Sequence, residues 1–281
     1  MYYLMITVSA FLFSLQFMFN NGYSKEYVRG WDSSLKFSFY SSITGLVALL
    51  FINKFQMDVS LFSLIVAFVY GAVCIALSYS SIKAFQYANL SVYSVFSMIG
   101  GMLLPFVYGI MCGEEFKSVR LICCVLIVIS VAMSVKKGEQ AKRAIKYYIA
   151  VFILNGMVGV ISEFHQMNTG LCVDSASFMI LTKITTIFIS AILLFKERKT
   201  TFMITKKAFL YSAMYSVVNS IGNLILLLAL IHLPASVQYP IVTGGVIIFA
   251  TIIDIIRKEK PTKKEIIAAC VAFLSAALMA L

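Results

Sequence analysis

Residues 155–183 read NGMVGVISEFHQMNTGLCVDSASFMILTK, two apolar stretches joined by a short polar connection. Glu163, His165 and Lys183 lie within or at the edges of these stretches, which are otherwise apolar enough for lipid. A charged side chain at the centre of a bilayer costs about 2.5 to 3.5 kcal/mol on insertion scales, so it usually faces a partner or a water-filled cavity. The pattern therefore predicts a transmembrane hairpin that carries the functional charges of a transporter.

The composition of the whole chain indicates a membrane protein. Of its 281 residues, 61% are hydrophobic and only 12% are charged, a balance that a soluble domain could not keep off its surface. The net charge of +11 comes from Lys and Arg residues in short gaps between apolar segments. Because nucleic-acid readers cluster such charge on one folded face, we interpret the excess as membrane topology and expect no nucleic-acid partner.

Ten apolar segments of about 20 residues, the length that crosses a bilayer core of about 30 Å, cover nearly the whole sequence. They span residues 2–20, 34–52, 61–82, 90–111, 118–135, 146–168, 174–195, 207–231, 234–256 and 264–281. The first lacks a basic start and a small-residue cleavage site, so we expect it to be a helix of the mature protein. No gap is long enough for a separate soluble domain, so function is expected within the helix bundle.

Lys and Arg residues are concentrated in alternate connections between these segments. The even-numbered connections hold only Lys54, Lys117 and Arg120, and the odd-numbered connections hold almost all the others. The positive-inside rule then predicts cytoplasmic odd connections and both termini outside. We expect an integral, multi-pass protein of a bacterial-type plasma (inner) membrane.

The two halves of the chain resemble each other. Asp32-Ser33-Ser34 and Asp174-Ser175-Ala176 each begin an apolar segment, and Gly100-Gly101 corresponds to Gly244-Gly245. Because five helices are an odd number, the second copy would enter the membrane the opposite way round. The predicted fold is an all-α membrane protein in which ten transmembrane helices form two inverted five-helix repeats around a central cavity. The repeats would be residues 1–140 and 141–281, in one membrane unit.

Ten short-looped helices in a five-plus-five arrangement resemble the drug/metabolite transporter superfamily, in its ten-helix EamA-type family. In that family the fourth helix ends in Gly-Glu before another apolar helix, as in residues 104–115, LPFVYGIMCGEE. The second copy has RKEKP at residues 257–261 instead, and Phe13-Ser14 stands where the family often has Trp-Gly. The resemblance implies alternating-access transport of small molecules such as amino acids, amines or drugs. Most similar members place their termini in the cytoplasm, the opposite of what the charge bias predicts here.

Polar residues recur at helical spacing in several segments, and lipid cannot satisfy their hydrogen-bonding groups, so we expect them to face inward. The clearest stripe contains Tyr211, Tyr215, Asn219 and Asn223, at steps of four residues. The predicted substrate-binding residues are Glu163, Lys183, Asn155, Gln166, Tyr215, Asn219, Asn223, Tyr93, Ser97, Tyr239, Gln238, Gln16, Asn20 and Tyr79. Each has a structural alternative, because amides also join helices and tyrosines also form interfacial belts.

The charged residues of the hairpin also have two interpretations each. Lys183 lies near the middle of its segment. It is either an ammonium that snorkels to water or forms a fixed ion pair, or the counter-charge for a carboxylate or phosphate. Glu163 lies about a turn and a half inside its segment. It is either a solvated acid at the membrane interface or a partner of Lys183. His165 is either a residue at the rim of its apolar segment or a proton relay.

No Gly-rich phosphate loop, His-Glu metal motif or Gly-x-Ser-x-Gly motif occurs, so we expect neither an enzyme nor a cofactor. The expected function is secondary active transport of a small amphipathic, amino-acid-like metabolite by alternating access, with protons as the candidate coupling ion. The alternative is proton-coupled efflux of organic cations or drugs, with Glu163 as the shared site and Lys183 structural. A third hypothesis is a packing or assembly subunit that transports nothing. The expected assembly is a monomer or homodimer in the lipid bilayer.

Overall fold

Long helices account for nearly all of the residues that the structure describes. The computed structural model describes residues 2–26, 30–87, 89–112, 126, 139–197, 202–230, 235–259 and 261–279. Within these ranges there are nine helices and no strand: α1 (Tyr2–Glu26), α2 (Trp31–Ile52), α3 (Leu61–Ala84), α4 (Leu90–Met111), α5 (Glu139–Met167), α6 (Ser175–Lys196), α7 (Lys206–Leu230), α8 (Ala235–Ile256) and α9 (Lys263–Met279). The predicted segment 118–135 lies, except for Leu126, outside the described residues, so α5 to α9 correspond to the sixth to tenth predicted segments.

Seven of the described helices are long and apolar enough to cross a membrane: α1 to α4, the Ala144–Met167 part of α5, α6, and the Lys206–Leu226 part of α7. Residues 241–256 of α8 form a shorter apolar helix. Large apolar side chains on the outside, such as Phe195 at 75% and Ile256 at 72% exposure, suit a surface that meets lipid rather than water. The chain is a multi-pass helical membrane protein.

Side-chain caps begin several helices directly after short connections. The Asn89 side chain accepts a hydrogen bond from the Val92 N–H at the start of α4. The Asp174 carboxylate accepts hydrogen bonds from the N–H groups of Ala176 and Ser177 at the start of α6. These oxygens satisfy backbone N–H groups that have no partner within their own helix, so little loop sequence is needed between neighbouring helices.

Helices from the first part of the chain pack mainly against helices from the second. α1 lies against α7 and α8, α2 against α6 and α7, α3 against α5 and α6, and α4 against α5 and α8. The closest approach joins α4 and α5, where a Cβ atom added to Gly100 would collide with the Phe152 carbonyl group. A Cβ atom on Gly156 would lie 2.7 Å from the Gly100 carbonyl oxygen. The two glycines therefore permit backbone contact between these helices.

The two ends of the bundle are held by different interactions. Where α1 ends, the Lys25 ammonium lies 2.6 Å from a Glu259 carboxylate oxygen, and Lys207 lies 3.2 Å from Glu26. We call this the ion-pair end. At the other end, which we call the His165 end, the Ser63 hydroxyl lies 2.8 Å from His165 Nε2. Both sets of contacts connect α1–α4 to the second part of the chain.

Candidate functional site

A cavity of about 100 Å³ lies between the helices near the middle of the bundle. Seven of the described helices contribute to its wall: α1, α2, α3, α4, α5, α6 and α7. The lining residues are Gln16, Phe17, Asn20, Phe37, Ser38, Ser41, Ser42, Tyr70, Cys74, Leu77, Ser78, Ser81, Tyr93, Ser97, Asn155, Thr182, Lys183, Thr186 and Tyr215. The wall is therefore rich in hydroxyl and amide groups, unlike the apolar outer surface of the same helices.

Apolar clusters lie beyond the cavity along the helix axes in both directions. Towards the ion-pair end, Tyr23, Phe37 and Ile82 are buried together, and the Tyr23 hydroxyl donates a hydrogen bond of 2.8 Å to the Ser33 carbonyl oxygen. Towards the His165 end, Ala67 and Phe178 belong to a second buried cluster. The polar cavity thus has an apolar cluster on each side along the helix axes.

Lys183 supplies the cation of this cavity. It lies in the middle of α6, and its stem crosses α2 at Gly45, where an added Cβ atom would lie 3.2 Å from Lys183 Cε and would collide with the Ser216 hydroxyl. Lys183 makes no hydrogen bond and no ion pair with any residue that the structure describes. It interacts electrostatically with Cys74 on α3. The cavity wall, over the described ranges, holds no other charged side chain.

Glu163 lies elsewhere. Its side chain is partly exposed, does not line the cavity, and interacts electrostatically with Tyr108 on α4. The structure forms no ion pair between Glu163 and Lys183, although both residues are described. Of the two charges that the sequence places in this hairpin, only Lys183 opens into the cavity.

Gln16 on α1 links two members of the predicted α7 stripe. Its side-chain nitrogen donates a hydrogen bond of 3.3 Å to the Tyr215 hydroxyl, and its oxygen accepts one of 2.8 Å from Asn219. Asn223 donates to the Asn219 carbonyl oxygen at 2.8 Å. Gln16 and Tyr215 line the cavity, whereas Asn219 and Asn223 do not, and their hydrogen bonds are those of amides within and between helices.

Tyr93, Ser97 and Asn155 lie together on the α4–α5 side of the cavity. The Tyr93 hydroxyl lies 2.7 Å from that of Ser81 on α3, and the Asn155 amide donates a hydrogen bond of 2.6 Å to the Ser97 carbonyl oxygen. All three predicted residues line the cavity. Their polar groups are largely satisfied by each other and by neighbouring helices.

Asn20 and Ser38 differ from these neighbours. Both are 3% exposed and line the cavity, yet the Asn20 side-chain oxygen and the Ser38 hydroxyl have no hydrogen-bond partner among the described residues. Asn20 was predicted as a site residue, and Ser38 was not. Buried polar groups are nearly always paired with protein or with a bound molecule, so these two groups are available to an occupant of the cavity.

Several predicted residues lie away from the cavity. Tyr79 packs against Trp31, with ring centroids 5.5 Å apart, and Gln166 is exposed. The side chains of Gln238 and Tyr239 lie outside the described part of the structure. His165 does not line the cavity either: it is 1% exposed and stacks on Phe178 with ring centroids 3.8 Å apart.

Sequence reasoning missed the hydroxyl groups that α2 and α6 contribute. Ser38, Ser41 and Ser42 line the cavity from α2, and Thr182 and Thr186 flank Lys183 on α6. A signal was present, because residues 38, 41 and 42 follow the i, i+3, i+4 spacing of one helical face within an apolar segment. Small hydroxyl residues are common in transmembrane helices, so this spacing was easily overlooked.

Comparison with known proteins supports the fold. A solved structure described only as the crystal structure of a protein aligns with a TM-score of 0.58 over 99% of this chain and 96% of its own, at 12% sequence identity. No protein-family model matches the chain, and no curated protein sequence matches it. At 12% identity, the alignment shows a shared helix arrangement along nearly the full length of both chains.

Proposed function

We propose that this protein is a secondary active transporter that moves a small amphipathic metabolite bearing a carboxylate, of the amino-acid-like class, across a bacterial-type plasma membrane. The observation that carries the proposal is Lys183, an interior cation that opens into a polar cavity and has no counter-ion among the described residues. Ten helices in two inverted five-helix repeats, residues 1–140 and 141–281, would alternate access to this cavity, as in the EamA-type family that the sequence resembles. Protons are the proposed coupling ion.

The charge of the cavity favours an anionic group over a cationic one. Two unit charges 4 Å apart interact by about 4 kcal/mol at an effective dielectric constant of 20. A substrate carboxylate beside Lys183 would gain attraction of this order, and an organic cation would meet repulsion of similar size. Because no carboxylate lines the cavity in the described ranges, the geometry gives cation efflux through Glu163 no support.

The contacts at the two ends of the bundle suit alternating access. Lys25–Glu259 and Lys207–Glu26 join the two parts of the chain at the ion-pair end, and Ser63–His165 joins them at the His165 end. A transporter must break one set of contacts while it keeps the other. Pairs between partly exposed side chains are each worth about 1 kcal/mol or less, so the ion-pair end can open at modest cost.

Transport by purified protein in sealed vesicles, read as currents on a solid-supported membrane across a panel of acids, zwitterions and cations, tests the proposal. We expect substrate-dependent currents for carboxylate-bearing compounds, and we expect Lys183→Ala to abolish them. Lys196→Ala is the matched control, because Lys196 lies on the same helix with an exposed side chain. Carboxylate currents that survive Lys183→Ala, or organic-cation currents that Glu163→Gln abolishes, would contradict it.

A further inference from the structure

The cavity has a second polar region besides Lys183. Asn20 on α1 and Ser38 on α2 are buried, line the cavity and have no hydrogen-bond partner among the described residues. Two amide side chains of the wall are paired by contrast: Gln16 with the Tyr215 hydroxyl, and Asn155 with the Ser97 carbonyl oxygen. An unsatisfied buried acceptor costs about 1 to 3 kcal/mol. Asn20 and Ser38 are thus built to accept a hydrogen bond from something that enters the cavity.

Asn20 and Ser38 lie at the same depth. Asn20 is six residues before the end of α1, and Ser38 is seven residues after the start of α2, two helix ends that meet at the ion-pair end. At 1.5 Å per residue, both lie about 10 Å from that end. Both side chains line the same cavity, and the nearby Tyr23 and Phe37 rings, on the same two helices, lie with centroids 4.8 Å apart, so the two unsatisfied oxygens belong to one region of the wall.

Lys183 lies deeper. It is thirteen residues before the end of α6, which is about 20 Å by the same rise, and its Cε lies beside Gly45, about 21 Å from the start of α2. The end of the Lys183 stem is therefore level with Gly45. About 10 Å along the helix axes separates the cation from the region of Asn20 and Ser38. One occupant that satisfies both must carry its charge and its hydrogen-bond donor at opposite ends.

The size of the cavity limits that occupant. A cavity of about 150 Å³ binds benzene, which has about six non-hydrogen atoms, so the smaller cavity of about 100 Å³ suits a molecule of roughly six non-hydrogen atoms at most. A three-carbon acid with a terminal amino or hydroxyl group has this size and carries polar groups at both ends.

We infer that Asn20 and Ser38 form a donor-accepting subsite, and that the substrate is a short acid whose amino or hydroxyl group lies at the far end from its carboxylate. This inference rests on the proposed function, since it takes the Lys183 cavity as the substrate site. The carboxylate pairs with Lys183, and the terminal donor reaches the Asn20 and Ser38 oxygens.

The test compares ligands of nearly equal size on the purified full-length protein by calorimetry. Propionate lacks the donor, 3-hydroxypropionate carries a neutral one, and 3-aminopropionate carries a charged one. We expect the wild-type protein to bind at least one donor-bearing acid at least about tenfold more tightly than propionate, since one buried hydrogen bond is worth this ratio. Which of the two binds more tightly identifies the terminal group as hydroxyl or amine.

Variants locate the effect. Asn20→Leu with Ser38→Ala should reduce the preference for the donor-bearing acid over propionate to about one, and Ser38→Ala alone should reduce that preference about threefold. Asn21→Leu is the matched control, because Asn21 is the neighbouring buried asparagine whose oxygen is also unpaired but does not line the cavity. Asn21→Leu should keep the preference.

The outcomes separate this inference from the proposed function. Equal binding of propionate and both donor-bearing acids, with all three lost in Lys183→Ala, would overturn the Asn20–Ser38 subsite and leave the carboxylate transporter standing. A preference that survives the double variant would also overturn the subsite. Absence of binding for every acid would instead contradict the proposed function.

Discussion

Lys183 and Asp254 are both interior charged residues, but they differ in the partners that the protein gives them. Asp254 on α8 is fully buried, and its carboxylate oxygens accept hydrogen bonds from the Leu90 N–H at 3.2 Å and the Ser91 N–H at 2.6 Å, at the start of α4. These are backbone donors at the positive end of a helix dipole, so the charge is satisfied within the protein. Lys183 has no such partner in the described structure. A satisfied interior charge holds helices together, and an unsatisfied one faces the cavity.

Removing the satisfied charge should have the largest effect on stability. Asp254→Ala leaves two buried N–H groups of α4 without acceptors, and we expect it to lower the free energy of unfolding by roughly 2 to 4 kcal/mol. Thermal unfolding of the purified protein in detergent measures the change. Asp254→Asn, which keeps one acceptor, should lose less. An unchanged unfolding temperature for Asp254→Ala would contradict the interpretation that Asp254 stabilises the fold through its hydrogen bonds to α4.

Removing the unsatisfied charge should act in the opposite direction. Lys183→Met replaces an uncompensated interior ammonium by an apolar side chain of similar length, so we expect it to raise the free energy of unfolding by roughly 1 to 2 kcal/mol. The same unfolding measurement applies, with Lys196→Met as the exposed control on the same helix. A lower unfolding temperature for Lys183→Met would mean that the ammonium has a stabilising role in the folded protein.

Asp174 offers a third case, an exposed carboxylate that caps a helix. Partial burial raises the pKa of Asp174, but hydrogen bonds from Ser177 and from the Ala176 N–H outweigh it and hold the pKa below its usual value. A lowered pKa adds stability that is complete above the unfolded value of about 3.9 and is lost as the pH falls through the folded value. Asp174→Ala should cost about 1 kcal/mol at neutral pH.

The pH dependence makes the Asp174 prediction specific. The difference in unfolding temperature between wild type and Asp174→Ala should be constant near neutral pH and should shrink below about pH 4. A difference that does not shrink at all as the pH falls below about 4 would mean that the carboxylate charge does not provide the cap.

The smallest effect is expected at the ion-pair end. The Lys207 side chain is 74% exposed, so its pair with Glu26 should contribute less than about 0.5 kcal/mol. Lys207→Ala should therefore leave the unfolding temperature nearly unchanged. A loss as large as that of Asp254→Ala would show that exposed pairs in this protein hold the bundle together as buried charges do.

Hydropathy located the described helices well and their ends less well. The predicted segment 90–111 coincides with α4, but α1 runs to Glu26 rather than residue 20. Its last two turns contain Asn20, Asn21 and Ser24, which are polar by sequence and yet buried between helices. A hydropathy window reports the part of a helix that meets lipid, so a polar extension buried against other helices is read as a loop.

The site was only partly predictable. Gln16, Asn20, Tyr93, Ser97, Asn155, Lys183 and Tyr215 were expected and line the cavity, and the serines of α2 were not expected. Glu163 was paired with Lys183 in the sequence analysis because both interrupt neighbouring apolar segments. In the structure Glu163 interacts electrostatically with Tyr108, and the Lys183 side chain lies beside Gly45.

The sequence by itself determined that the chain is helical and crosses a membrane, and that Lys183 interrupts an apolar helix near its middle. It did so because hydropathy and helical periodicity are properties of single segments. Only the tertiary structure decided which charge faces the cavity, which is satisfied by a helix start, and which polar groups lack a partner. Periodicity gives the angle between two side chains on one helix, and it does not say which neighbouring helix each of them meets.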